Sequence, residues 1–334
     1  MRILFRTSGG KSPKRQLGFG HIYRCINLCK ELFPHEIVFL IEDYGSVSSI
    51  LKENNLKFSK LKPGLNENMD IEKSIKFIKK NNIDLVIVDK YGTTNKYFKA
   101  IKKITKLIIL SDLKNIQFNG DLIINGFIGY KNKVSHNKYG TKCLLGPNYQ
   151  IINKNKTKKN PKRKKIDLLA TFGGVDSSNI IPVLMESLNH NSKKIDTKII
   201  LGPSTKKNKK LTKLIQQKKN HVSVIQKTSN LMKEINHTKF GFCGGGITSY
   251  EFAHMKVPFA IICQYPHQLI TSREWQKLGI GLNLGLLNKL TPRKIHRIVN
   301  DFDNIRSNLK INYSIVDGLG SKRIAREIQK LLNQ

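Results

Sequence analysis

Apolar residues in this chain fall into short continuous runs, and stretches of helical period separate them. The first runs cover residues 3–5 (Ile3-Leu4-Phe5), 37–41, 84–89, 106–110 and 121–124. They read as strands, and the uninterrupted run at 37–41 suits a strand buried on both faces. Between the first two, Ile22, Cys25, Ile26, Cys29 and Leu32 recur at the spacing of one buried helical face, and Ile71, Ile75 and Ile78 predict a helix over 71–80. Strands alternating with helices predict a parallel sheet covered on both sides. The alternation resumes with strands at 166–171, 198–201, 222–225, 240–243 and 258–262, and Leu211, Leu214 and Ile215 mark a basic amphipathic helix among them. Residues 321–332 predict a last helix with Ile324, Ile328, Leu331 and Leu332 on one face and Ser321 as its cap.

In parallel sheets of this kind ligands bind beyond the carboxyl ends of the strands, so the residues that follow the apolar runs carry the interest. Gly18 and Gly20 stand where a strand turns into a helix, and His21 falls in the first helical turn. Glycine lets a ligand approach the backbone closely, and the free N–H groups of a helix start favour anions over cations. A histidine there is biased toward neutral imidazole, the form that accepts a proton. On the residues alone His21 is either a general base or a surface histidine after a tight turn. Asp89 and Tyr91 end one strand and Ser111-Asp112 another, on the same rim as His21, and Asp89 reads equally well as a loop carboxylate or helix cap. In the second half, Phe172-Gly173-Gly174 follows a strand, and Asp176 or Ser177 caps the next helix. Gly244-Gly245-Gly246-Ile247-Thr248 is a second strand–glycine–helix junction, which presents N–H groups to a phosphate. Glu251 lies one turn further, placed to accept bonds from ribose hydroxyls.

Composition narrows the classes. At 334 residues two domains are expected. No apolar run is long enough to span a membrane, so no stable membrane insertion is expected. A strand-like start implies no signal peptide. Five cysteines without a C-x-x-C pair suggest neither a disulfide framework nor a zinc site, and the histidines show no metal-ligand spacing. A cytoplasmic, monomeric protein without metal or cofactor is expected. The formal charge of +37 is scattered, no nucleic-acid signature accompanies it, and no nucleic-acid partner is expected. Residues 153–165 carry eight Lys or Arg among thirteen positions, and they read as a solvated linker ahead of a phosphate-binding run. There is no P-loop motif, and the glycines at 18 and 20 lack the third member of the dinucleotide fingerprint.

Taken together, the motifs resemble one family. They are Gly18-Phe19-Gly20-His21-Ile22-Tyr23-Arg24, Asp89-Lys90-Tyr91-Gly92, Leu145-Gly146-Pro147-Asn148-Tyr149, Phe172-Gly173-Gly174-Val175-Asp176, Gly245-Gly246-Ile247-Thr248-Ser249-Tyr250-Glu251, Gln268, and the stretch Val316-Asp317-Gly318-Leu319-Gly320-Ser321-Lys322-Arg323. The chain resembles, nearly end to end, the hydrolases of pseudaminic acid biosynthesis that remove UDP from UDP-2,4-diacetamido-2,4,6-trideoxy-β-L-altropyranose. That family belongs to the GT-B superfamily and is similar in fold to the lipid II N-acetylglucosaminyltransferase. The resemblance implies two Rossmann-like α/β domains whose parallel sheets face a central cleft. They would span 1–150 and 166–318, with a basic linker over 151–165 and a terminal helix over 319–334 packing on the first domain.

It further implies that His21 is the catalytic base, with Tyr91 beside it in the sugar site. Gly18, Gly20, Gly173, Gly174, Gly245, Gly246, Ile247, Thr248 and Glu251 would bind UDP, and Asp89, His267 and Gln268 the sugar. Water would attack the anomeric carbon directly, with inversion and without metal. A GT-B glycosyltransferase using the same donor is the alternative, and a basic binding protein without catalysis a third reading. Three departures bear on the choice of sugar and of acceptor. Residues 7–17 form a longer loop carrying Lys11, Lys14 and Arg15, Ile247 replaces a usual serine, and His267 replaces a usual asparagine.

Overall fold

The computed structural model describes residues 1–11, 16–153, 165–174, 176, 178–190, 194–203, 205, 209–217, 221–228, 230–310 and 315–333. The chain forms two compact units, Met1–Asn153 with Asp317–Gln334, and Lys154–Val316. Lys14, Arg15, Val175, Ser177 and residues 154–164 of the basic linker lie outside the described residues. At the linker's edges Ile151 and Ile152 are buried in the first unit, and the Lys165 N–H donates to the His237 carbonyl at 3.0 Å.

The first unit begins with β1 (Arg2–Lys11), β2 (Gln16–Gly18), α1 (Gly20–Cys29), β3 (Glu36–Tyr44), α2 (Val47–Glu53), β4 (Lys57–Leu61) and α3 (Glu67–Lys80). It continues with β5 (Leu85–Asp89), α4 (Asn95–Lys102), β6 (Lys106–Leu110), β7 (Leu122–Asn125), β8 (Lys133–His136) and β9 (Lys142–Leu145). Its described strands lie in the order β4-β3-β1-β5-β6-β7-β9-β8, with β2 paired to β1. The β1–β2 and β8–β9 pairs are antiparallel and the rest parallel. From β1 the strand order runs outward in both directions, so β1 and β5 flank the switch point where such sheets bind ligands.

The apolar pattern ends the first strand at Phe5, but β1 runs on to Lys11. Thr7, Ser8, Gly9 and Gly10 break the apolar run, yet β3 pairs with them in parallel as far as Gly10 opposite Tyr44. β2 then returns with Gly18 opposite Gly10. The segment expected as a loop from residue 7 is therefore the stem of a β-ribbon. Gly18 closes the ribbon at φ +61°, a conformation glycine adopts without penalty.

The second unit contains β10 (Ile166–Thr171), α5 (Ile180–Asn189), β11 (Thr197–Leu201), α6 (Lys209–Gln216), β12 (Val222–Gln226), α7 (Leu231–Asn236) and β13 (Thr238–Cys243). After these come α8 (Ile247–His254), β14 (Phe259–Cys263), α9 (Gln268–Lys277), β15 (Gly281–Leu286), α10 (Pro292–Asn300) and α11 (Phe302–Ser307). Its described sheet is wholly parallel in the order β12-β11-β10-β13-β14-β15. The switch point lies between β10 and β13. Ile180, Ile181, Leu184, Met185 and Leu188 of α5 pack with Phe240 and Phe242 of β13 in one buried cluster.

The last helix, α12 (Gly320–Leu332), belongs to the first unit. Ile324, Ile328 and Leu332 are buried. Polar anchors surround that apolar stripe: Lys142 Nζ reaches Glu327 at 2.5 Å, Lys106 Nζ donates to the Leu331 carbonyl at 2.6 Å, and Arg323 donates to the Asn148 carbonyl at 2.9 Å. Ser321, read as the cap, lies inside the helix, which starts one residue earlier and has no side-chain cap. Gly320 is required by proximity: a Cβ there would sit 2.2 Å from the Gln150 carbonyl oxygen. Gly320→Ala should therefore push α12 off its seat. Overpacking of this kind costs about 1–3 kcal/mol, to be read from denaturant unfolding curves, and unchanged stability would contradict this packing.

Candidate active site

At the switch point of the first unit, α1 and the ends of β5 and β6 bring four side chains together. His21 and Arg24 are three residues apart on α1 and therefore share a face. Asp89 ends β5, and Asp112 follows β6. His21 Nδ1 lies 2.6 Å from Asp89 Oδ1. Arg24 grips the same carboxylate with two donors, Nε to Oδ2 at 2.7 Å and Nη2 to Oδ1 at 2.5 Å. Its other edge holds Asp112, Nη1 to Oδ1 at 2.5 Å and Nη2 to Oδ2 at 3.1 Å. Asp89 is fully buried, Arg24 nearly so, and the Asp112 side chain is 53% exposed. The carboxylate fixes the His21 tautomer: Nδ1 carries the proton and donates to Asp89, leaving Nε2 as the acceptor.

Burial is the largest influence on Asp89 and would raise its pKa. Arg24 first and His21 second outweigh it, holding the carboxyl well below the usual carboxylate range. Burial likewise works against a charged His21, but Asp89, by charge and hydrogen bond, and then Asp112 overcome it against the opposing Arg24, so the His21 pKa is raised. The helix-start argument pointed the other way, toward a neutral imidazole. It fails because a carboxylate in contact outweighs the partial charge of a helix terminus. His21, Asp89 and Asp112 also offer donor atoms within 4.8 Å of one another, a possible cation-binding set. The Arg24 guanidinium already occupies the space between the two carboxylates and supplies the positive charge such a set would attract.

A second charged group forms around Arg6, which pairs with Val88 in the sheet while Thr7 pairs with Asp89, so the two groups lie on opposite faces. Arg6 is fully buried and donates to Asp70 at 2.8 Å and to Glu42 at 3.0 Å. Lys90 Nζ turns inward to Glu42 at 2.8 Å and to Asp70. Two cations facing two carboxylates leave no net buried charge, the condition under which such groups are tolerated in a core. Lys90 is thus directed away from its neighbour Asp89. Tyr91, the next residue, is exposed.

In the second unit the turns after β10 and β13 sit at the switch point. Gly244 and Gly245 are buried and Gly246 is exposed. Gly245 packs on α9, where a Cβ would lie 2.8 Å from Gln268 Cβ. α8 begins at Ile247 with no side-chain cap. Thr248 is partly exposed there. Gln264 ties the two turns together: its Nε2 donates to the Phe172 carbonyl at 3.0 Å, and its N–H donates to Gln268 Oε1 at 2.8 Å. Gly173 and Gly174 follow Phe172 at that point. Gln268, expected at the sugar, is therefore also a brace for the turn. His267 is exposed and stacks on Tyr265 with centroids 5.6 Å apart. Asp176 caps α5, accepting from the N–H groups of Ile180 and Ile181 at 2.9 Å. Glu251 is half-buried, and no hydrogen bond or ion pair from the described residues reaches its carboxyl, which burial pushes up to about 7.

The expected site residues thus form two sets, one in each unit: Gly18, Gly20, His21, Asp89 and Tyr91 in the first, and Gly173, Gly174, Gly245, Gly246, Ile247, Thr248, Glu251, His267 and Gln268 in the second. Arg24 and Gln264 were not expected among them, and Asp112 was expected on the rim without an assigned role. Arg24 was signalled by its three-residue spacing from His21, and Asp112 by its place after a strand on the same rim.

No protein-family model matches the chain. It is 25% identical over 283 residues to the uncharacterized protein MJ1062 of Methanocaldococcus jannaschii, covering 79% of this chain and 56% of that one, so it spans little more than half that relative's length. It is 24% identical to the spore coat polysaccharide biosynthesis protein SpsG of Bacillus subtilis, over 95% of this chain and 96% of the relative. It is 26% identical to the UDP-2,4-diacetamido-2,4,6-trideoxy-beta-L-altropyranose hydrolase of Campylobacter jejuni, over 84% and 97%. Among solved structures, MurG of Acinetobacter baumannii aligns with TM-score 0.66 at 13% identity over 99% of this chain and 100% of that one. The spinosyn forosaminyltransferase SpnP aligns with TM-score 0.70 at 12% identity over 100% of both chains. The fold is that of the GT-B glycosyltransferases, with two parallel-sheet α/β units. No helix among the described residues is long and apolar enough to cross a membrane.

The raised His21 pKa has a consequence for stability. A histidine that binds its proton more tightly folded than unfolded adds stability in full below its unfolded pKa of about 6.5, and that stability disappears as pH rises through the folded value. Wild type should therefore exceed His21→Gln in unfolding free energy at about pH 5, with the gap narrowing toward about pH 9, as read from urea titrations at each pH. A gap that widens with pH would contradict the His21–Asp89 pairing.

Proposed function

We propose that this chain is a nucleotide-sugar hydrolase that releases UDP from a UDP-linked diacetamido-trideoxy sugar, with His21 as general base. The observation that carries the reading is the His21–Asp89 pair: Nδ1 is committed to a buried carboxylate while Nε2 has no partner among the described residues. A base oriented by a carboxylate through its far nitrogen is the arrangement that proton abstraction requires. The free Glu251 carboxyl beside the glycine turn supports a nucleotide held in the second unit, with ribose hydroxyls on Glu251 and the diphosphate on the N–H groups at 246–248. The similarity to the Campylobacter hydrolase supports water as the acceptor.

In this reading Nε2 takes a proton from water as the water oxygen bonds to the anomeric carbon. The bond from that carbon to the diphosphate oxygen breaks, and UDP leaves with the electron pair. Attack opposite the leaving group inverts the anomeric centre. UDP is a good leaving group whose charge is met by backbone N–H groups, so no metal is needed in this scheme. Tyr91, His267 and Gln268 are assigned to the sugar end. The likeness to glycosyltransferase structures favours a second reading, transfer of the same sugar to an acceptor hydroxyl.

Incubation with a panel of UDP-sugars should release UDP without any acceptor, and release that requires an added acceptor would select the transferase. His21→Asn should keep UDP binding and lose at least about 100-fold in turnover, since general base catalysis is worth ~10²–10⁴. Wild-type turnover should rise with pH through the raised His21 pKa, because only the neutral ring accepts the proton.

Glu251→Ala should weaken UDP binding by about 10- to 150-fold, the equivalent of about 1.5–3 kcal/mol for a charge-assisted hydrogen bond. Because the Glu251 pKa is raised to about 7, wild-type affinity for UDP should also fall on the acid side of that value while the variant's does not. Calorimetric titration reads both, and an unchanged dissociation constant would take Glu251 out of the nucleotide site.

A further inference from the structure

Arg24 is the most heavily engaged side chain of the first unit's site, yet it cannot itself act as base or acid, since its guanidinium stays charged. It bonds both oxygens of Asp89 and both oxygens of Asp112, and its Nη2 also stands 3.3 Å from His21 Nδ1. One cation thus lies between two carboxylates, and the imidazole touches the seam. Had Arg24 faced Asp89 alone, that pair would present His21 with a neutral ensemble. With Asp112 on the opposite edge, the three charged groups around the ring sum to one net negative charge.

The other charged group near this rim does not alter that sum. Lys90 follows Asp89, but its ammonium is held by Glu42 and Asp70, which Arg6 also neutralises. On α1 itself the remaining titratable neighbour is Cys25, whose Sγ is 3.7 Å from Asp89 Oδ2. Burial pushes its thiol well up, so it stays neutral. The groups that face His21 from α1, β5 and the turn after β6 are therefore Arg24, Asp89 and Asp112.

We propose that Asp112 is a positioning residue that sets the proton affinity of His21 by dividing the Arg24 guanidinium between two carboxylates. It does not contact the imidazole through a hydrogen bond, and it acts through Arg24 and through its own charge. The inference rests on the reading of His21 as the base only for its meaning in turnover, because the proton affinity itself is measurable without substrate. Asp112 suits a test by substitution: it is exposed and follows a strand end, so its carboxyl is not part of a core.

The experiment follows the His21 ring proton by NMR titration of the full chain, with His21→Gln assigning the signal. In Asp112→Asn the titration midpoint should move to lower pH, for two reasons of the same sign: a negative charge is lost, and Arg24 falls wholly to Asp89. Asp112→Glu should keep the midpoint near the wild-type value. Glu36→Gln, which removes an exposed carboxylate paired with Arg2 at the start of β3, should leave it unmoved and so separates a local effect from net charge. A midpoint unchanged or raised in Asp112→Asn overturns the proposal, as does an equal downward shift in Glu36→Gln. If UDP-sugar turnover is measurable, its acid limb should move down with the midpoint. A titration shift without any UDP release would leave this inference standing and defeat the hydrolase reading instead, so the two are separable.

Discussion

A fully buried carboxylate, Asp89, is the constraint around which the first unit's site is built. Left alone, it would take up a proton or draw in water, because an isolated charge in a core costs several kcal/mol even after relaxation. It stays ionised because Arg24 covers both of its oxygens and His21 donates to one of them. Each partner is in turn dictated by position. Arg24 and His21 share one face of α1, and α1 is set by the ribbon that β2 forms on β1. The other face of the sheet repeats the solution with Arg6, Lys90, Glu42 and Asp70. The sheet thereby carries a set of charge on each face, the Arg6 set closed and the Asp89 set with one imidazole nitrogen left over.

That arrangement sets stability and reactivity against each other. The contact that raises the His21 proton affinity stabilises the fold when the ring is charged, whereas abstraction of a proton needs the ring neutral. A base of raised affinity is a stronger base once deprotonated, at the cost of being deprotonated only at higher pH. Asp112 stands at the point where this balance is adjustable, because it is the solvent-facing member of the set.

Much of the architecture was legible in the sequence. The runs at 106–110 and 166–171 are the strands β6 and β10 to the residue, because their apolar centres are buried on both faces of a sheet. The glycine junctions at 18–20 and 244–246 fell at the switch points because ligand sites in doubly wound sheets are fixed by topology rather than by local composition. What escaped was whatever depends on contacts distant in sequence. β1 extends past Phe5 because β3 pairs with it, and no local pattern records that. The direction of the His21 pKa was misread because a helix start is visible in the chain, while the approach of Asp89, 68 residues away, is not. Arg24 carried no role of its own in the sequence, and its burial follows from two carboxylates brought from β5 and the turn after β6.

The seating of α12 has a consequence for how the protein is made. Its partners His35, Lys106, Lys142 and Asn148 are all synthesised long before it, with separations of up to 294 residues. Translation proceeds N-terminus first at about 5–20 residues per second. For an interval on the order of ten seconds, then, the nascent first unit carries the uncovered apolar seat of Ile324, Ile328 and Leu332, while the second unit, made from one continuous segment, has every strand it needs to close. The first unit is thus completed only after the whole of the second has been made.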